Sequence, residues 1–135
     1  VRDPESYDYA IVRVVPRVER EEFVNVGVIV SCPVLSFLEA RFALDEARLR
    51  ALDPNIDIET IRAHLNSISA ICAGGANAGP FSRLSQRERF HWLVAPRSTI
   101  IQTSAVHTGR CDDPNKLIEH LLEKMVIPPR LTVGG

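Results

Sequence analysis

Lysine is almost missing from this sequence: two residues, against fourteen arginines. With a net charge of -1, that excludes a lysine-rich face and any global attraction to nucleic acid or acidic lipid. Long apolar runs are missing too, and no basic-then-apolar leader opens the chain, so no membrane segment is expected. Cysteine is limited to Cys32, Cys72 and Cys111, far apart and never as C-x-x-C. An odd, scattered set argues against a zinc finger and fits reduced thiols in a cytoplasmic protein. No G-K-[ST] follows the glycines of "AGGANAGP" and no strand feeds them, so that run reads as a flexible loop rather than a phosphate loop.

What is present is ordinary globular composition, 45% apolar and 24% charged, in a chain long enough for one real core. "YDYAIVRVV", "FVNVGVIVSC" and "FLEARFAL" read as strands. The first is apolar on both faces, as a central strand is. In the second, Val24, Val26, Val28 and Val30 share one face, and Gly27 suggests a bulge or a close backbone approach. In the third, Leu38, Ala40, Phe42 and Leu44 point inward while Glu39 and Arg41 point outward. Short links between the three fit antiparallel neighbours.

Helices follow. Asp45 caps a short one; Asp57 caps a longer one with Ile58, Ile61, Leu65, Ile68 and Cys72 on one stripe. Ser85-Gln86-Arg87-Glu88 has capping-box form and should begin a helical turn. "WLVAP" and "STIIQTSAVHT" look extended. Asp113 and Pro114 open a last helix that buries Leu117, Ile118, Leu121, Leu122 and Met125. The reading is a single α+β domain over residues 1–135, with helices packed on one face of an antiparallel sheet. Its ordered core runs over about 6–127, with a frayed tail at 128–135.

Three blocks, "YDYAIVRVVPRVEREEFVNVGVIVSCP", "LDEARLRALDPNIDIETIRAHL" and "RFHWLVAPRSTIIQTSAVHTGRCDDP", resemble a bacterial family catalogued as domain-of-unknown-function family 3037. The resemblance carries no catalytic residues. It implies a small bacterial cytoplasmic protein, and its association with genes for HipA-like serine/threonine kinases makes such a kinase the partner it implies.

The chemistry concentrates in residues 88–114. His91 and His107 with nearby serine and aspartate could serve an unrecognised hydrolase. A two-histidine phosphoesterase would want H-x-[ST] twice. Here Trp92-Leu93 follows His91, and Thr108 follows His107 one position early. No G-x-S-x-G elbow is present, and Asp112-Asp113 read as a helix cap with its neighbour rather than as metal ligands. Neither a metal nor a cofactor is expected. From Gly74 to Cys111 there are five arginines and one acid, Glu88. Arg97, Ser98, His107, Thr108 and Arg110, with His91, therefore form the candidate binding surface for a phosphate group or a protein partner. Single-stranded nucleic acid is a weaker form of the same reading, since so few cations give salt-sensitive affinity. In the plainer alternative, the arginines are a solvated rim paired with the acids of "EREE" at 19–22, and Phe90 and Trp92 are core anchors.

Overall fold

A computed structural model describes residues 4–97 and 99–129. Three long strands, β1 (Glu5–Val14), β2 (Val24–Cys32) and β3 (Phe37–Phe42), form an antiparallel meander in the order β3-β2-β1. Two short strands, β4 (Ile101–Thr103) and β5 (His107–Cys111), complete the sheet, both antiparallel to β1 on its free side. β4 meets Val12–Val14 and β5 meets Glu5–Tyr9. Between them the ladder is bridged by Ser104, whose Oγ accepts from the Ile11 amide at 2.9 Å while its own amide donates to the Ile11 carbonyl at 2.8 Å.

The helices are α1 (Glu46–Leu52), α2 (Ile58–Ala73), α3 (Gln86–Leu93) and α4 (Pro114–Met125). The expected caps are in place: Asp45, Asp57 and Asp113 each accept an amide hydrogen bond from the first turn, and Ser85 and Glu88 close a capping box. The α+β domain with one antiparallel sheet is therefore what forms. Helices α1, α2 and α3 cover one face over Val12, Val14, Ile29 and Leu38. α4 covers the other over Val28, Val30, Phe37 and the two tyrosines. The single covered face of the sequence reading becomes two.

The bulge at Gly27 explains the second cover. Val12 pairs with Gly27 but Arg13 pairs with Asn25, leaving Val26 without a partner. One extra residue reverses the alternation. Val24 and Val26 therefore face α2, whereas Val28 and Val30 face α4, and the expected four-valine face is split in two. Gly27 also meets its neighbours closely. A Cβ there would collide with the Phe42 ring and come within 2.7 Å of the Arg41 carbonyl oxygen.

Two further expectations are corrected. "AGGANAGP" lies largely in 3-10 turns over Ala76–Arg83, broken at Gly79, with Ala78 buried and the Phe81 ring 4.4 Å from that of Trp92. "WLVAP" is not extended at its start: Trp92 and Leu93 are the last residues of α3. Phe90 and Leu93, three apart, bury one helical face, and Pro96 disfavours helix at the residue before it. Of the expected tail, Pro128 and Pro129 are exposed, and residues 130–135 lie outside the described residues.

Candidate functional site

Helix α3 crosses the sheet at the end where β1 begins and β2 stops, and a cleft of about 350 Å3 opens between them. Three features hold the helix there. The capping box fixes its first turn, with the Glu88 amide donating to Ser85 Oγ at 3.2 Å and the Ser85 amide donating to Glu88 Oε1 at 3.0 Å. Hydrogen bonding to the carboxylate, from the Ser85 amide first and the Ser85 hydroxyl second, holds the Glu88 carboxyl below its ordinary range. Phe90 and Leu93 anchor the helix in the core. Gln86 Nε2 donates to the Phe37 carbonyl at 2.8 Å and approaches Ser31 Oγ at 3.4 Å, tying the helix start to β2 and β3.

One wall of the cleft carries Arg87 and His91, one helical turn apart on α3, and the other carries Asp8 from β1 and Ser31 from β2. Ser31 is 2% exposed, the polar residue that stands out among the buried ones. Asp8 is held from the adjacent strand by Thr108, whose Oγ1 donates to its Oδ1 at 2.9 Å. Among the described residues neither Asp8 nor Arg87 belongs to an ion pair, although both line the same space. The apolar remainder, Phe90, Val94 and Val106, makes it an amphipathic seat.

The sequence-derived candidates do not form one patch. His91 reaches the cleft, and Thr108 reaches it through Asp8. His107 is paired with Tyr9, so it sits on the α4 side of the sheet, its ring stacked on Tyr9 at 5.1 Å. Neighbouring positions on β1 face opposite ways, which separates His107 from Asp8 and from His91 beyond it. The two histidines therefore share no reacting atom, and the hydrolase arrangement lacks its geometry. Arg110 shares Thr108's face but spends a donor on the Pro4 carbonyl at 3.1 Å. The Arg97 guanidinium carbon lies over Trp92, 4.0 Å from the ring centre, and the group donates to the Trp92 and Leu93 carbonyls at the end of α3. Ser98 lies outside the described residues.

The rim alternative is also corrected. The acids of "EREE" pair locally, Glu19 with Arg17 and Glu22 with Arg20. No described ion pair involves Arg83, Arg87, Arg89, Arg97 or Arg110. Trp92, at 43% exposed, is no core anchor, whereas Phe90 is. Asp8 and Ser31 were missed because neither lies near a motif. The available signals were an aspartate between two tyrosines in a central strand and a serine closing the run Val26–Val30.

Among the described residues no group of three or more His, Cys, Asp or Glu is placed to hold a metal ion, and no helix is long and apolar enough to cross a membrane. All three cysteines are free. Burial pushes the Cys72 thiol up to about 12. Burial first, then Cys32 and the carboxylates of Asp112 and Asp113, raises that of Cys111. A family model described as a protein of unknown function, DUF3037, matches residues 9–126. No curated protein and no solved structure gave a match.

Proposed function

The chain belongs to the DUF3037 family, and from that premise we propose that it is a binding module whose cleft between α3 and the sheet seats an anion-bearing segment of a partner protein. The observation that carries this is the unspent pair across the cleft. Arg87 presents a guanidinium and Asp8 a carboxylate with one oxygen committed to Thr108, yet the two do not neutralise each other. A segment with an acidic group toward Arg87 and a donor toward Asp8 would satisfy both, with apolar contact from Phe90, Val94 and Val106.

A HipA-like kinase, the partner implied by the family resemblance, is the first candidate, in a bacterial cytoplasm where the free thiols stay reduced. The nucleic-acid reading draws on the arginine excess. It is less well supported, because Arg97 is stacked on Trp92, Arg89 donates to the Leu84 carbonyl and Arg110 donates to Pro4.

Replacing Val106 with a photo-crosslinking amino acid puts a probe at the cleft mouth. The expected result in living cells is a discrete protein adduct, reduced by about tenfold or more when Arg87→Glu is added. An adduct unchanged by Arg87→Glu, or no adduct above background, refutes the proposal.

A further inference from the structure

Arg13 is out of place on β1. It sits near the end of a central strand that is otherwise apolar beyond Asp8, and none of the described hydrogen bonds or ion pairs uses its guanidinium. Its Nε is buried with no partner. Partial burial lowers its pKa, the sign of a cation paying for desolvation without a counter-charge. A buried guanidinium Nε–H without an acceptor is unusual for a folded protein, where such groups are nearly always satisfied or await an ion or a water.

The surroundings indicate which. The guanidinium carbon lies over the Phe23 ring, 4.1 Å from its centre, so the cation is supported by an aromatic face rather than by a carboxylate. A pocket of about 270 Å3 opens beside it, bordered by Val15, Gln102, Glu21 and the second ring-supported arginine, Arg97. Gln102 is Arg13's register partner on β4, and its Nε2 is turned away onto the Thr99 carbonyl at 2.8 Å. Thus two cations, each seated over an aromatic ring and neither in a described ion pair, flank one opening. Arg13 and Asp8 are an odd number of residues apart on an unbulged strand, so their side chains leave opposite faces of the sheet, and neither Arg13 nor Arg97 lines the α3 cleft.

We propose that the Arg13–Arg97 pocket is a second binding site, one for an oxyanion, phosphoryl or carboxylate, held by the unpartnered Arg13 guanidinium with the Arg97 cation, itself anchored on the Trp92 and Leu93 carbonyls, alongside. The planar Arg13 fork matches both oxyanions, and the two sources separate on titration. Glu21, the acid at the rim, opposes binding and sets its strength.

The test follows the arginine Nε–Hε resonances by NMR while inorganic phosphate or acetate is added, with sodium chloride at matched ionic strength as the control. The expected result is saturable movement of the Arg13 and Arg97 signals by one or both anions, with exposed Arg48 unmoved. Arg13→Gln and, separately, Arg97→Ala should each weaken the affinity about tenfold or more. Arg13→Lys should weaken it as well, since it keeps the charge and loses the fork. Glu21→Gln should tighten it, and Arg87→Ala should leave it unchanged, which separates this site from the cleft. Two outcomes overturn the proposal. One is movement that never saturates or that sodium chloride reproduces. The other is an Arg13 signal indifferent to both anions, as expected if water alone bridges it to the buried, unpartnered Asn25 Oδ1 across the ladder.

Discussion

Gly27→Ala tests the packing of the whole sheet with a single methyl group. The added carbon would fall against the Phe42 ring and 2.7 Å from the Arg41 carbonyl oxygen, where ordinary contact begins near 3.4 Å. Phe42 can turn away, losing part of its contact with the α2 core. The carbonyl cannot do so cheaply, because β2 and β3 are laddered on both sides of it: Val28 pairs with Arg41 and Ile29 with Ala40 before it, and after it the Ala43 amide donates to the Val26 carbonyl at 2.8 Å. Overpacking a tight site costs about 1–3 kcal/mol, and backbone resistance places this one at the upper end, about 3 kcal/mol. Urea unfolding followed by far-UV circular dichroism measures it. Adding Phe42→Leu should recover only part of the loss, about 1 kcal/mol, because the carbonyl contact stays. A Gly27→Ala protein within about 0.5 kcal/mol of wild type, the range of a neutral surface change, would show that the bulge yields and that the argument from close approach is wrong.

Further outcomes follow from α3 and from the thiols. Ser85→Ala removes the cap beneath Arg87 and His91 and should cost about 1 kcal/mol in the same urea assay. Glu88, its capping partner, has a folded pKa below its ordinary 4.5, so its stabilising share is complete above that value and drains away as pH falls below it. Glu88→Gln should therefore flatten the acid limb of a stability–pH curve measured from pH 6 to about pH 3, and an unchanged limb would count against the capping box. In thiol labelling at pH 8, Cys111 should react first. Cys32 and Cys72, both buried, should react only on unfolding; equal native rates for all three would contradict the packing.

Much of the fold was legible because local chemistry and tertiary placement agree. The aspartate caps at 45, 57 and 113, the Ser85–Glu88 box and the apolar side of α4 need no information beyond a few neighbouring residues. Where the reading failed, the deciding contact was distant. The parity of β2 flips at a bulge whose partner lies on β1, so Val28 and Val30 could not be assigned to a face from the strand alone. "WLVAP" has strand-like composition, yet burial of Phe90 and Leu93 carries the helix through Trp92. The candidate site fared worse for the same reason. His91 and His107 are near in sequence, but one stands on a helix and the other on the far face of the sheet. Asp8 reaches Thr108 across a separation of 100 residues that no local pattern records.

The break between β4 and β5 bears on how the protein behaves in a crowd. A sheet with a valine-rich second strand invites a neighbouring chain to add to it wherever an edge is long and regular. Here the outer rank is cut into pieces of three and five residues. At the join, the Ser104 side chain, not a backbone group, receives the Ile11 amide. The opposite edge is the six-residue β3, whose Arg41 is linked to Glu39 and to Glu119 of α4, setting charge and a helix beside it. Neither border offers an incoming strand an uninterrupted apolar template. The interruption that makes the sheet look imperfect thus also protects it against self-association into extended β-structure.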